Sequence, residues 1–335
     1  NPWYPIAEPS DAPANDGMPD ASRDLTSELV KLVQAMQEIK SEEDSRVNSY
    51  EIFVNQKQTH IRNSRGVDVT FSGFGCEIEV VTNSRTDDHE IEIYKDLRFS
   101  DKSAEKIIAE VRGMFHTGRQ RLNAVPTRQN EHADVLLTGN AVGSFFQYFA
   151  MHTNASYQYM GVAKAKIGES ITGADADPLN IRLVPTLDGS AKNAPYDETG
   201  MPVAERVLFE NGICRSYWGS LQHAHYIGMK DTTSMNNMVV EGGSKTLDEL
   251  RSMPHIEITD FSAFDMDAVS GTCGGEIRLA YESNGTTSHP TTSGSLSARY
   301  DDVLKNLTFS KETQQLNNRV VPCAVLLRDV TVAGE

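Results

Sequence analysis

The segment Asp134–Asn154, DVLLTGNAVGSFFQYFAMHTN, constrains the fold of this chain more than any other. A short apolar run, Val135, Leu136 and Leu137, stops at Gly139-Asn140. Beyond it Val142, Phe145, Phe146, Phe149 and Met151 recur at helical spacing. A short apolar run bounded by glycine suits a buried strand, and a 3.6-residue period suits a helix packed on one face. The segment therefore predicts a strand, a glycine turn and an amphipathic helix over residues 140–152.

Other patterns place it within a longer plan. Residues 1–24 are rich in Pro and Asp without any period and read as an extended lead-in. Leu25, Leu29, Leu32, Val33, Met36 and Ile39 then predict a helix, with Asp24 as N-cap and the acidic run Ser41–Asp44 as its end. From Asn48 the period becomes two. Tyr50, Ile52 and Val54 alternate with polar residues, as do Val67–Phe71, Phe74–Val80 and Ile91–Ile93. This predicts an antiparallel meander with one buried face, turning at Asn63-Ser64-Arg65-Gly66. Ile107, Ile108, Val111 and Phe115 predict a second helix, and the polar stretch Pro126–His132 a boundary between domains 25–130 and 131–335.

The second part reads as β-rich. In VLFENGICRSYW, strands Val207–Glu210 and Ile213–Trp218 flank Asn211-Gly212, a pair that tolerates the positive φ of a type I′ turn. Ser283-Asn284-Gly285 predicts a further turn, and Thr246 with Glu249 a capping box. The run VVPCAVLLRDVTVAG predicts a buried strand with Pro322 toward its edge. The fold class is α+β: a meander with flanking helices, then a β-rich domain holding one helix at 140–152.

A net charge of −16 opposes direct binding to phosphate backbones, so no nucleic-acid partner is expected. No apolar run is long enough for a membrane span, and the N-terminus lacks the basic and apolar regions of a secretory signal. Cys76, Cys214, Cys273 and Cys323 are widely spaced, which favours free thiols and a cytoplasmic setting.

Several separated pieces resemble the TldD/PmbA family, in the family's order. Ile61–Val67 (IRNSRGV) is similar to its Asn-Ser-x-Gly turn, and the strand–helix of 134–152 follows. PYDETGMPV resembles its Tyr-Asp-x-Glu-Gly segment, here lengthened by Thr199. LFENGICRSYW, MNNMVVEGGSKTLDEL and LLRDVTVAG then come in register with its later blocks. The resemblance implies a metallopeptidase-related protein, known also as a modulator of DNA gyrase, and an extended peptide lying beside the helix. It further implies an N-terminal domain of about a hundred residues with no counterpart here.

Active members carry His-Glu-x-x-x-His on that helix and a Cys near the C-terminus, which together hold zinc. A catalytic zinc site needs such ligands, an open position for water and a base to accept its proton. The matching positions here read Phe146-Gln147-Tyr148-Phe149-Ala150-Met151 or, one residue later, Gln147 to His152. The region matching the Cys, Glu312–Arg319, reads ETQQLNNR, with Cys323 just beyond. The reading is therefore a TldE/PmbA-like subunit with no catalytic residue, metal ligand or cofactor of its own. By analogy it acts in a peptide-processing complex, as a homodimer or beside a metal-bearing TldD-like paralogue. The alternatives are an active metallopeptidase with a rebuilt site, using His152, His223 and His225, and a stand-alone peptide-binding module. His223 and His225 would share a face on a strand. Candidates for a peptide groove are Phe146, Gln147, His152, Asn236 and Asn237.

Overall fold

The computed structural model describes residues 3–11, 23–231 and 233–335. Of the expected lead-in, residues 1–2 and 12–22 lie outside the described residues. The first part runs α1 (Leu25–Gln37), β1 (Ser45–Arg62), β2 (Asp68–Arg85), β3 (Glu90–Phe99) and α2 (Ala104–Leu122). Asp24 caps α1 by accepting the Thr26 N–H at 3.0 Å. α1 stops at Gln37, before the acidic run expected to end it, and Ile39 is buried just past its end.

β1, β2 and β3 form an antiparallel sheet. Phe74, Cys76, Ile78 and Val80 face the helices, packing with Leu32, Met36, Ile107, Val111 and Phe115. The sequence pattern breaks phase at Ser72-Gly73, which suggested separate strands, yet β2 is continuous there. The tip of the hairpin serves a different neighbour from its base. Val67 and Val69 close on Gly200, where an added Cβ would lie 2.5 Å from Val67 Cγ1. Phe71 meets Tyr196, with ring centroids 5.9 Å apart. A shift of one residue moves side chains to the opposite face, so the broken phase records a strand packed on both sides.

The remainder opens with β4 (Val125–Pro126), β5 (Asn130–Thr138), α3 (Asn140–His152) and α4 (Ala155–Met160). There follow β6 (Ile181–Val184), β7 (Arg206–Glu210), β8 (Ile213–Cys214), α5 (Leu221–Tyr226), β9 (Asn237–Val240) and α6 (Leu247–Arg251). Next come β10 (Pro254–Asp267), β11 (Thr272–Asn284), β12 (Ser288–Thr292), β13 (Ser295–Arg299) and α7 (Tyr300–Val303). The chain closes with β14 (Thr308–Phe309), β15 (Thr313–Leu316), β16 (Arg319–Pro322) and β17 (Ala324–Ala333).

Two sheets result. One has eight strands, ordered β10-β5-β17-β13-β11-β12-β4 with β14 beside β17; the other has six, ordered β15-β16-β9-β6-β7-β8. α3 packs on elements of both: Phe149 meets Phe209 of β7 at 5.9 Å, and Phe146 meets Phe309 of β14 at 5.6 Å. The α+β class is as expected, with further short helices beyond the one predicted. The Asn211-Gly212 turn has φ of 49° and 77°, as type I′ requires, but β8 ends at Cys214 rather than Trp218. Trp218 instead turns inward and its Nε1 donates to the Ala150 carbonyl at 2.7 Å. The apolar run at the C-terminus is two strands, not one. β16 joins the six-stranded sheet and β17 the eight-stranded sheet, with the change at Pro322-Cys323, where proline lacks a ladder donor. No described helix is long and apolar enough to cross a membrane.

Candidate functional site

α3 begins at a glycine because nothing else fits. Gly139 has φ of +66°, and an added Cβ would lie 2.8 Å from the Thr259 carbonyl oxygen. It brings no side chain to cap the first turn, so the leading N–H groups of the helix keep their positive character. One stripe of the helix, Asn140, Ser144, Gln147 and Met151, is not fully buried. The opposite side enters the core. Phe146 lies there with no exposed surface, so it is a core residue and does not line a groove.

The β15–β16 hairpin is folded over this stripe. Arg319, the first residue of β16, donates from Nη2 to Gln147 Oε1 at 2.8 Å and from Nη1 to the Gly143 carbonyl at 3.4 Å. Gly143 permits the approach: a Cβ there would stand 3.2 Å from Leu316 Cδ1 and 3.7 Å from Arg319 Nη1. The helix and the ETQQLNNR stretch therefore meet in space, joined by an amide and a guanidinium. Burial lowers the pKa of Arg319, and no carboxylate lies within ion-pairing distance of it among the described residues.

Beside this contact a cleft of about 510 Å³ opens between β3 and the start of α3. It is lined by Gly139, Asn140, Gly143 and Ser144 on the helix, and by Gln314, Gln315 and Arg319 on the hairpin. Lys95, Lys102 and Glu110 face them from the first part of the chain. Glu110 takes Lys95 at 2.9 Å and also Lys102. Burial works to raise the Glu110 pKa, but the two lysines outweigh it and hold the carboxyl below its ordinary value.

The remaining predicted residues are dispersed. His152 is fully buried; its Nδ1 accepts the Lys164 N–H at 3.1 Å, and its Nε2 has no hydrogen-bond partner. Burial first, then the Lys164 charge, depress its pKa to about 4. His223 and His225 sit on α5, a helix rather than the expected strand, so two residues apart they point in different directions. His223 Nδ1 lies 3.1 Å from Ser220 Oγ, while His225 packs edge-on against Trp3. The three histidines are therefore not assembled. Among the described residues no group of three or more His, Cys, Asp or Glu is placed to hold a metal ion.

Asn237 is fully buried and acts as a staple. Its amide donates to the Val184 and Pro185 carbonyls and to Asn193, and its oxygen accepts from Ser190 Oγ at 2.5 Å. Asn236 lines a separate cleft of about 530 Å³, together with Tyr196, Glu198, Trp218 and His223. Of the groove candidates only Asn236 lines a cleft; Gln147 is half-buried and reaches the other cleft only through Arg319. Arg319 and the lysines opposite it escaped sequence reasoning. The available signal was an arginine placed directly before the apolar run VVPCAV.

Residues 130–334 match the sequence profile of the PmbA/TldA metallopeptidase C-terminal domain. The chain belongs to the PmbA/TldD family. No curated protein sequence matches it. Among solved structures, TldE from Thermococcus kodakarensis superposes with a TM-score of 0.78 at 16% identity, over 99% of this chain and 80% of that one. A candidate modulator of a DNA gyrase from Thermotoga maritima gives a TM-score of 0.76 at 17% identity, with the same coverage. A similarly described protein from Bacteroides thetaiotaomicron gives 0.72 at 15% identity, over 98% of this chain and 78% of that one.

As a PmbA/TldD member the chain raises the question of zinc, and its residues do not fit the ion. Where the family pattern calls for His, Glu and His on α3, the helix offers Phe146 in the core, Gln147 engaged by Arg319 and the thioether of Met151 or, one residue later, Gln147, Tyr148 and the buried His152. A fixed guanidinium beside those positions repels a dication. Cys323 lies beyond β16 with its thiol pKa raised by burial, which disfavours the thiolate that would bind metal.

Proposed function

We propose that this protein is a peptide-binding subunit of the TldD/PmbA type without a metal centre of its own. It acts in a peptide-processing complex, either as a homodimer or beside a metal-bearing paralogue. The observation that carries this reading is the Arg319–Gln147 contact, which sets a cation at the helix face that the family pattern reserves for zinc. The open cleft beside it supports the binding half of the reading, since an extended peptide needs an accessible trough with hydrogen-bonding walls. Cys76, Cys214, Cys273 and Cys323 are all free thiols, which suits a reducing, cytoplasmic compartment.

Metal analysis of the purified protein tests the first half, with the expected zinc content well below one ion per chain. Stoichiometric zinc that is lost in Cys323→Ser or His152→Gln would overturn it and favour a rebuilt metallopeptidase. Purification from the native host tests the second half. Recovery of a paralogue bearing His-Glu-x-x-x-His, with peptidase activity only in the mixture, is the expected result.

A further inference from the structure

Arg319 is half-buried without a counter-ion, and the cleft it lines runs against the charge of the whole molecule. Two of its N–H groups meet neutral oxygens, on Gln147 and Gly143; its remaining donors have no protein partner. Arg251 and Arg119 are neutralised, whereas Arg121 forms no ion pair among the described residues and its Nε has no hydrogen-bond partner. Arg251 forms a two-pronged pair with Glu257 at 2.6 and 2.8 Å, and Arg119 reaches Glu42 and Asp44. A guanidinium is planar and forked, matched to the two oxygens of a carboxylate, and an unpaired one in partial burial is stabilised by an anion that fits.

The surroundings point the same way. Lys95, Arg98, Lys102 and Arg319 line the cleft against Asp96 and Glu110, an excess of positive charge in a chain of net charge −16. Arg98 is tied to Glu77 and Asp96. Lys95 and Lys102 share the single carboxylate of Glu110, and the lysine charge left over offsets the second carboxylate on Arg98, so Arg319 supplies the net positive charge of the group. The uncapped first turn of α3, at Gly139 and Asn140, opens into the same space. Asn140 and Ser144 add neutral hydrogen-bonding groups to that wall.

We propose that the cleft between β3 and α3 is a carboxylate-binding site, with Arg319 as its anchor and the free C-terminal carboxylate of a bound peptide as its ligand. This rests on the peptide-binding reading above. Gln147 is a positioning residue: it holds one prong of the guanidinium against the helix and leaves the outer edge of the fork for the ligand. The site would then select peptide ends over internal segments, because a cation answers the terminal charge that an internal peptide bond lacks.

The test is binding of a fluorescently labelled Ala-Ala-Ala-Phe peptide as the free acid, as the C-terminal amide, and as an amide with one internal Glu. Wild-type protein should prefer the free acid over the amide by about tenfold, with the preference shrinking as salt is raised. Arg319→Met should erase the preference while still binding the amide, and Arg319→Lys should keep only part of it. Equal binding of acid and amide by the wild type would overturn the carboxylate site and leave the peptide-binding reading standing. Tighter binding of the internal-Glu peptide than of the free acid would overturn the choice of ligand. Failure of every peptide to bind would sink the peptide reading, and with it the peptide end as ligand. In that case succinate alone reports on the pocket: a rise in Tm in wild type but not in Arg319→Met would identify a small-carboxylate site, and no rise would remove the site altogether.

Discussion

Arg319 Nη2 donates to Gln147 Oε1 at 2.8 Å, across a sequence separation of 172 residues. The contact joins the two stretches that the family pattern marks as halves of a metal site.

If Arg319 is a half-buried cation without a protein counter-ion, removing it should cost little in stability. Arg319→Met keeps the aliphatic bulk and deletes the desolvated charge. Urea unfolding should place the variant within about 1 kcal/mol of wild type, or above it. A loss of more than about 3 kcal/mol would mean that the guanidinium has a stabilising ionic partner.

Phe146 distinguishes core from groove. It is fully buried against Phe145, Phe149 and Phe309. Phe146→Ala should cost about 3–5 kcal/mol, as for large-to-small changes in a packed interior. A stability change under about 1 kcal/mol with weakened peptide binding would return the residue to the groove.

His152 should give the fold a pH dependence on its acid side. The unfolded chain titrates near 6.5, whereas burial and the Lys164 charge hold the folded residue at about 4. Above 6.5 both states are neutral and the contribution is fully present. As pH falls below 6.5 the unfolded chain binds the proton first, and stability declines until the folded residue titrates near 4. The full span amounts to about 3 kcal/mol. Urea titrations at several pH values should show this slope in wild type and a shallower one in His152→Gln; identical slopes would refute the assignment.

Asn237 should behave as a structural staple. Asn237→Ala leaves the Val184 and Pro185 carbonyls and Ser190 Oγ without their partner, and is expected to destabilise by about 2–3 kcal/mol. Peptide affinity, measured where the variant is still folded, should be unchanged. A selective loss of affinity would place this asparagine in the binding surface.

Local patterns were legible in the sequence wherever one element answered to one neighbour. The strand–glycine–helix of 134–152, the Asp24 cap, the Asn211-Gly212 turn and the Thr246–Glu249 capping box are all present. Reading failed where one stretch served two masters. The phase break at Ser72-Gly73 looked like a strand end because its two halves face opposite bodies. VVPCAV looked like one strand because both of its sheets are buried. His223 and His225 looked paired because a short polar segment carries no period by which to tell helix from strand. The candidate site was half legible: the departure from the His-Glu-x-x-x-His pattern can be read directly, but the partnership of Gln147 with Arg319 depends on a meeting of distant segments.

That meeting has a simple mechanical origin. β5 runs into α3, β16 runs into β17, and β5 and β17 are neighbours in the large sheet, with Thr138 opposite Ala324. The helix and the arginine thus spring from adjacent ends of one ladder, as two jaws spring from one hinge pin. Their spacing is dictated by main-chain hydrogen bonds and owes little to the groups that line the gap. Such a frame is a socket: the side chains that line it can change while its bore stays the same.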